Sequence, residues 1–297
     1  DTLDLPAALR GLEPAALQRV ADEVRQEIIA TIGCNGGHLG SSLGTVELAV
    51  ALHAELQTPR DAIVWDVGHQ SYAHKLLTGR LDRFHTIRTL GGISGFPCRD
   101  ESPYDPYGNG HSSTSISAAL GILEARRTSS DDAAQGRVVA VIGDGALTGG
   151  MAYEALNHAG HLGSPLLVVL NDNAMSIERN VGAMSNYLSR LRLDPKFYRL
   201  RRDLERRLLN LPGVGETVAA MGAQLKDGLK ALVVPGMLFE ELGFTYVGVV
   251  DGHDIEELRA GLRRALAFDG PVLLHCRTVK GKGYEPAELH PGQYHGV

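Results

Sequence analysis

Arg137-Val-Val-Ala-Val-Ile142 is followed at once by Gly143-Asp-Gly-Ala-Leu-Thr-Gly-Gly150. A continuous apolar run that ends in glycine is typical of a strand covered on both faces. The residues from Thr148 to Leu162 then show helical periodicity, and Pro165-Leu-Leu-Val-Val-Leu170 predicts a second buried strand. A strand, a helix and a strand in this order predict a parallel unit with a right-handed crossover.

The same alternation extends toward both ends of the chain. Apolar residues spaced by three or four predict helices, and short apolar runs predict strands. The predicted helices are 13–32, 45–56 (with Thr45 as a possible N-cap), 113–126 and about 254–268, and the predicted strands are 62–67, 245–250 and 271–277. Glycine, proline, serine and aspartate crowd residues 91–110, which predicts a loop. Together these elements predict one α/β domain over residues 1–297, with three layers (α/β/α) and a mainly parallel sheet.

One segment, from about 184 to 237, breaks this alternation. It contains no convincing strand, and its part from Arg190 to Arg207 carries seven arginines and Lys196. We interpret it as an irregular, mostly helical excursion. Two roles remain open for it: a solvated surface, or a mobile segment that flanks an active site for phosphorylated substrates.

Composition limits the classes of partner. The chain has 297 residues and a net charge of −6, which argues against nucleic acid or an anionic membrane as the main partner. Its three cysteines, Cys34, Cys98 and Cys276, are widely spaced and include no C-x-x-C pair. They indicate neither a disulfide framework nor a cysteine zinc site, and they fit a reducing cytoplasm. No signal-peptide pattern and no run of about 18 apolar residues occurs, so no membrane span is predicted.

The turn after the first quoted strand has the character of a phosphate site. Gly143 ends a strand of a parallel sheet, which is the edge where such sheets bind ligands. The glycines follow G-x-G-x-x-x-G, which differs from the dinucleotide pattern, and no Walker A sequence occurs. Asp144 inside the turn would repel a diphosphate unless a magnesium ion lay between them. Asn173 ends the next predicted strand, and we expect its amide oxygen near Asp144 if the two strands are neighbours.

Three histidines lie in glycine-flanked turns, His38, His69 and His111. Histidines at one sheet edge can donate to anions or transfer protons near neutral pH, although each could equally be a structural turn residue. We expect Ser112 and Ser113 to cap the helix that follows His111, with exposed N–H groups that suit a phosphate. His158 and His161 lie three residues apart on one predicted helix, and without a third ligand they are interpreted as helix surface.

Gly143-Asp-Gly145 and Asn171-Asp-Asn173, with a helix and a strand between them, resemble the thiamine-diphosphate motif of the transketolase superfamily. The resemblance implies a transketolase-like fold that binds thiamine diphosphate and Mg²⁺. It also implies that the metal ligands are Asp144, Asn173 and the backbone carbonyl of Met175.

Further blocks resemble the deoxyxylulose-phosphate synthase family, and the match runs from about residue 13 to the end. These blocks include Gly36-Gly-His-Leu-Gly-Ser-Ser-Leu-Gly44, Trp65-Asp-Val-Gly-His-Gln70, Gly91-Gly-Ile-Ser-Gly-Phe-Pro97, Gly110-His-Ser-Ser-Thr-Ser115, Val250-Asp-Gly-His253 and Thr278-Val-Lys-Gly-Lys-Gly-Tyr-Glu-Pro286. By this resemblance the cofactor is contacted by His69, Gly110, His111, Ser112, Ser113, Gly145, Ala146, Asn173 and Tyr284. The resemblance also implies that His38, His69 and Lys280 face the reacting carbons or the cofactor phosphates.

The family resemblance implies a transferase that condenses pyruvate with D-glyceraldehyde 3-phosphate. The products are CO₂ and 1-deoxy-D-xylulose 5-phosphate, a precursor for isoprenoid, thiamine and pyridoxal biosynthesis. In such enzymes a glutamate on a second, pyrimidine-binding domain activates the cofactor. That domain and a C-terminal domain do not occur in this sequence, so we expect the chain alone to be inactive. The resemblance also implies that the complete protein is a homodimer. A transketolase proper and a non-catalytic thiamine-diphosphate-binding module remain as alternatives.

Overall fold

The computed structural model describes residues 5–129, 136–193 and 236–297. Within these residues one sheet is formed by β1 (Ala62–Trp65), β2 (Val138–Gly143), β3 (Leu167–Asp172), β4 (Thr245–Asp251) and β5 (Val272–Arg277). The strand order is β1-β2-β3-β5-β4, and every neighbouring pair is parallel. The predicted parallel sheet is confirmed, and the carboxyl ends of its strands meet at one edge.

Helices connect and flank these strands close to the predicted positions. Within the described residues they are α1 (Pro14–Asn35), α2 (Leu39–Leu43), α3 (Val46–Glu55), α4 (Tyr72–Lys75), α5 (Ser115–Thr128), α6 (Gly150–Leu162), α7 (Ala183–Leu193), α8 (Met237–Glu241), α9 (Ile255–Leu266) and α10 (Glu285–Leu289). Asp254 caps α9, because its carboxylate accepts from the Glu257 N–H. Thr45 precedes α3 but does not cap it with its side chain; its hydroxyl donates to the carbonyls of Ser42 and Gln70.

The sheet has a hydrophobic core on each face, which confirms the three-layer architecture. Alternate side chains of a strand point to opposite faces, so Val139 and Val141 pack on one side with α1, α3 and α9. Val138, Ala140 and Ile142 pack on the other side with α5 and α6. A strand buried on both faces must be apolar throughout, which explains the continuous run in β2.

The predicted loop over 91–110 contains no helix or strand. Of the predicted excursion over 184–237, α7 is helical as expected, and residues 194–235 lie outside the described part of the chain. Among the described residues, no helix combines the length and the apolar character needed to cross a membrane.

Two glycines inside helices form a matched pair that tests how α6 packs. A Cβ atom on Gly160 would lie 1.7 Å from the Leu242 carbonyl oxygen, whereas a Cβ atom on Gly121 in α5 would meet nothing within 4 Å. We expect Gly160→Ala to lower the free energy of unfolding by about 1–3 kcal/mol, because overpacking forces the backbone apart. Gly121→Ala should raise it by up to about 1 kcal/mol, because alanine is the better helix former. Urea denaturation measures both, and shifts of the same sign would contradict this packing.

Candidate functional site at the carboxyl edge of the sheet

The register of β2 against β3 brings the two halves of the predicted metal motif together. Gly143 pairs with Asn171, and the Asp144 N–H donates to the Asn171 carbonyl at 3.1 Å. The two strands are therefore neighbours, as the interpretation of Asp144 and Asn173 required. Both residues lie just beyond the strand ends, at the edge where parallel sheets bind ligands.

Asp144 is a buried carboxylate with one oxygen left without a partner. Its side chain is 2 % exposed; Oδ2 accepts from Asn180 Nδ2 at 2.8 Å, and Oδ1 has no hydrogen-bond partner among the described residues. Burial, followed by the nearby charge of Asp172, raises the pKa of Asp144 to about 8. Such a pKa leaves the carboxyl mostly protonated near pH 7, and a bound cation would favour its charged form, so the orphaned oxygen fits a cation ligand.

Asn173 and Met175 lie in the turn directly after β3. Asn173 Oδ1 accepts from the Met175 N–H at 3.0 Å, and Ala174 between them has a positive φ of 65°. The turn thus brings the Asn173 amide and the backbone of Met175 together on the Asp144 side of the edge. No cluster of three or more His, Cys, Asp or Glu side chains with metal-binding geometry occurs in the described residues. One carboxylate, one amide and one carbonyl leave room for phosphate oxygens around Mg²⁺, and this donor set suits that ion.

Asp172, at the end of β3, is the centre of a buried network that the sequence analysis did not anticipate. One carboxylate oxygen accepts from His275 Nε2 at 2.8 Å, and the other accepts from Arg192 of α7. His275 Nδ1 contacts the Tyr246 hydroxyl at 2.6 Å. Asp172 is therefore paired with an imidazole and a guanidinium, whereas the side chain that donates to Asp144 is the neutral amide of Asn180.

Two of the predicted histidines meet at this edge and are joined by a third. The ring centroids of His38 and His69 lie 5.6 Å apart, and His295 lies 5.6 Å from His38 and 5.5 Å from His69. The Nδ1 atom of each is buried without a hydrogen-bond partner among the described residues. Phe96 packs edge-on against His38 at 5.7 Å. Three imidazoles with unused nitrogens form a surface that can donate to an anion or exchange protons with a ligand.

Burial controls the protonation of this cluster. It is the main cause that lowers the pKa of His69 to about 3 and that of His295 to about 4, with the neighbouring positive charges adding to it. Burial, with a contribution from Arg88, also lowers the pKa of His38. All three imidazoles are therefore neutral near pH 7, and each can act as a donor or an acceptor.

Lys280 links the histidine cluster to the metal side of the edge. It is buried, and its Nζ donates to the Ser176 carbonyl at 2.6 Å, directly after Met175. Burial lowers the pKa of Lys280 to about 8, against the opposing effect of Glu178 and Asp144. The structure thus brings Lys280 beside the predicted metal turn.

The loop over 91–110 is fixed by Asp105, and its Phe96 packs against His38. The Asp105 carboxylate accepts from His74 Nε2 at 2.9 Å, from Arg80 Nη1 at 2.6 Å and from the Cys98 N–H at 2.9 Å. A cavity of about 800 Å³ lies against this loop. Its lining runs from Ser94 through Phe96 to the predicted cofactor residues Gly110 and His111.

The expectation that the start of α5 offers exposed N–H groups to a phosphate is wrong. The N–H groups of Ser113 and Ser115 donate to the buried carboxylate of Asp66, at 2.8 and 3.0 Å. Neither Ser112 nor Ser113 caps the helix; the Ser113 hydroxyl donates to the Ala146 carbonyl at 2.7 Å. Asp66, directly after β1, satisfies these donors, and no local sequence pattern connects it with the start of α5, 47 residues further on. Ser113 and Ala146, both predicted cofactor contacts, are nevertheless brought together.

The remaining predicted residues are placed less tightly. Gly110, His111 and Ser112 are exposed on the turn before α5, and Gly145 follows Asp144 in the β2 turn. The ring of Tyr284 packs edge-on against that of Tyr294, with 5.8 Å between the ring centroids, next to the histidine cluster.

His158 and His161 are exposed on α6, which confirms that they belong to the helix surface. His295 was not among the predicted site residues. The glycine that follows it was the same signal that singled out the other histidines.

Comparison with solved structures identifies the fold. A transketolase from Campylobacter jejuni superposes with a TM-score of 0.70 at 21 % identity, over 96 % of this chain and 41 % of that one. A transketolase from Leishmania mexicana superposes with a TM-score of 0.67, also at 21 % identity, over 96 % of this chain and 39 % of that one. The chain therefore has a transketolase-type α/β fold.

Sequence comparison identifies the family. The family model described as 1-deoxy-D-xylulose-5-phosphate synthase matches residues 1–278. The synthase of Carboxydothermus hydrogenoformans is 57 % identical over the whole chain, which covers 47 % of that protein. The synthase of Desulforudis audaxviator is 58 % identical over 97 % of the chain and 45 % of its own length. The chain belongs to the 1-deoxy-D-xylulose-5-phosphate synthase family, and it spans less than half the length of these relatives.

His69 should make stability depend on pH. Its pKa is about 3 in the folded protein against about 6.5 for an exposed imidazole, so between these values the unfolded chain binds the extra proton. Stability therefore falls as pH drops through this window, by at most about 1.4 kcal/mol per pH unit from this group. We expect the free energy of unfolding of His69→Gln to fall less steeply from pH 6.5 to 4.5 than that of the wild type. The control His158→Gln, on the exposed surface of α6, should follow the wild type, and a wild-type slope in His69→Gln would contradict the burial of this imidazole.

Proposed function

We propose that this chain is the diphosphate- and Mg²⁺-binding part of an enzyme that condenses pyruvate with D-glyceraldehyde 3-phosphate to 1-deoxy-D-xylulose 5-phosphate and CO₂. The observation that carries the proposal is the orphaned, buried oxygen of Asp144 beside the Asn173–Met175 turn. The family membership of the chain supports the choice of substrates. Its fold supports thiamine diphosphate as the cofactor.

The residues of the metal turn have a distinct task in this proposal. Asp144, the Asn173 amide and the Met175 carbonyl would hold Mg²⁺, which would offset the negative charge of the diphosphate that Asp144 alone would repel. Thiamine diphosphate, when bound, supplies the carbanion chemistry that breaks the bond to CO₂ and forms the new carbon–carbon bond. Gly145 and Ala146 would offer backbone N–H groups to the phosphates.

The histidine cluster and Lys280 act on the substrate side. His38, His69 and His295 are neutral, so their ring nitrogens can donate a proton to a developing alkoxide and take it back. Lys280 places a positive charge beside the same edge, where it offsets carboxylate or phosphate charge. Burial keeps water away from these groups, which strengthens every electrostatic contact they make.

The rest of the cofactor site lies outside this chain in our proposal. The chain spans 45–47 % of the relatives' length, and the remaining part would supply the pyrimidine-side glutamate. We also propose that the complete protein is a homodimer. The same coverage favours the second candidate function, a thiamine-diphosphate-binding module without turnover, for the chain taken alone. A transketolase proper is disfavoured because the solved transketolases share only the fold at 21 % identity.

The metal assignment can be tested in a joined protein, in which this chain is fused to the part of the C. hydrogenoformans relative that it does not cover. Asp144→Ala and Asn173→Ala should each abolish Mg²⁺-dependent binding of thiamine diphosphate, because each removes a hard oxygen ligand. Calorimetric titration with Mg²⁺ and with EDTA measures this. The exposed Glu154→Gln on α6 is the control and should bind normally. Undiminished affinity in either site variant would refute the metal assignment.

The assignment of the histidines predicts a loss of turnover without a loss of folding. In the joined protein, His38→Ala and His69→Ala should each lower the rate of CO₂ release from pyruvate, measured with the aldehyde present, by about 10²–10⁴-fold. The reason is that a positioned proton donor is lost. Circular dichroism should show wild-type folding, and His161→Ala on the exposed surface of α6 should keep wild-type turnover. Wild-type rates in both site variants would refute these roles.

If part of the active site lies outside this chain, the 297-residue chain alone should be inactive. It should release no CO₂ from pyruvate even at high concentration, whereas the joined protein should. If the chain alone turned over at the rate of the joined protein, the proposal that part of the site lies elsewhere would be wrong.

A further inference from the structure

Lys280 lies on a turn that is held by buried side chains with no part in the proposed chemistry. It lies on the turn over 279–283, directly after β5. The Val279 N–H on one side of Lys280 donates to His253 Nε2 at 2.8 Å. On the other side, the Lys282 carbonyl accepts from Arg25 Nε at 2.9 Å. The turn is therefore held by side chains from two distant parts of the chain, His253 in the turn before α9 and Arg25 in the middle of α1.

The two hydrogen bonds of His253 determine which of its ring nitrogens carries the proton. A backbone N–H can only donate, so Nε2 must present its lone pair to Val279. The proton of the neutral ring therefore lies on Nδ1, which donates to Glu47 Oε2 at 3.0 Å. His253 can hold the turn only in this tautomer, and the Glu47 carboxylate selects it.

Arg25 closes the arrangement into a ring. It donates through Nη2 to the other Glu47 oxygen and through Nε to the turn. Arg25 and Glu47 are 6 % and 3 % exposed. Although burial alone would raise it, the hydrogen bond from His253 and the charge of Arg25 lower the pKa of Glu47. A Cβ atom on Gly283, which has a φ of 80°, would lie 2.4 Å from Arg25 Cδ, so the side chain packs directly against the turn.

An ion pair that served only to join α1 and α3 would need neither of the two bonds to the turn. Both bonds end on the backbone on either side of Lys280, whose Nζ then crosses to the Ser176 carbonyl beside the metal turn. We propose that Arg25, Glu47 and His253 are positioning residues that hold the 279–283 turn and thereby place Lys280 at the reaction edge. The effect that this positioning has on turnover rests on the proposed function, in which Lys280 faces the substrate or the phosphates.

Two isosteric replacements of His253 separate its two hydrogen bonds. Glutamine can place an acceptor where Nε2 lies, so His253→Gln keeps a partner for the Val279 N–H. Asparagine can place a donor where Nδ1 lies, so His253→Asn keeps a partner for Glu47 and leaves Val279 without one. Both variants carry a carboxamide group, and they differ in which of the two hydrogen bonds of His253 they preserve.

Hydrogen exchange of the 297-residue chain and kinetics of the joined protein are the readouts. In His253→Asn, amides of 279–283 should exchange at least about tenfold faster, while those of β1 stay unchanged, because only the turn is released. The turnover number should fall about tenfold or more with little change in the Michaelis constant for pyruvate, and His253→Gln should recover most of both losses. Equal behaviour of the two variants, or faster exchange spread over the whole sheet, would overturn the proposal. So would a released turn with wild-type turnover. A released turn in a joined protein that shows no synthase activity even as wild type would refute the proposed function and leave the holding of the turn established.

Discussion

Gly143 of β2 pairs with Asn171 of β3, and the Asp144 N–H continues the ladder by donating to the Asn171 carbonyl. This parallel register determines where the polar residues after each strand can meet. A one-residue slip would turn each buried side chain to the opposite face, where the close packing of the other core would not fit it. Asp144 and the 173–175 turn therefore share one edge because the cores on both faces of the sheet fix the register.

The polar groups at this edge cost the folded chain stability. A buried carboxylate oxygen without a donor and three imidazole Nδ1 atoms without partners are each unfavourable in the chain as described. Most buried polar atoms in proteins are paired, so several exceptions at one edge point to bound groups that complete them. Asp172 nearby shows the contrast, because its two oxygens accept from His275, from Arg192 and from the Ala174 N–H.

The sequence was sufficient for those features that depend on local pattern. Continuous apolar runs predicted the buried strands, and the order of strand, helix and strand predicted that β2 and β3 are parallel. That the two strands are neighbours is shown by their pairing in the structure. Asp144 stood out because a carboxylate is unusual in a phosphate turn. The family resemblance was confirmed by the match of residues 1–278. The roles of individual site residues stay predictions.

Features that depend on contacts between distant residues could not be predicted. The Asp66 carboxylate accepts from N–H groups at the start of α5, although Asp66 lies 47 residues before Ser113 in the sequence. The helix end that was expected to be free is therefore occupied. His253 is joined to Glu47 across 206 residues, and nothing near either one in the chain marks the other as its partner. His295 lies within two residues of the end of the given sequence, where no periodic element indicated its direction. Such contacts are fixed by the packing of whole helices and not by any local signal.

The central claim is that the orphaned Asp144 oxygen serves a divalent cation that bridges to a diphosphate. Mn²⁺ prefers the same oxygen ligands as Mg²⁺ and is visible by electron paramagnetic resonance. A titration of the joined protein with Mn²⁺, with and without thiamine diphosphate, therefore tests the claim directly. The account predicts one bound Mn²⁺ per chain, with an affinity that rises at least about tenfold when the diphosphate supplies its oxygens. An Mn²⁺ affinity that is indifferent to thiamine diphosphate would contradict it.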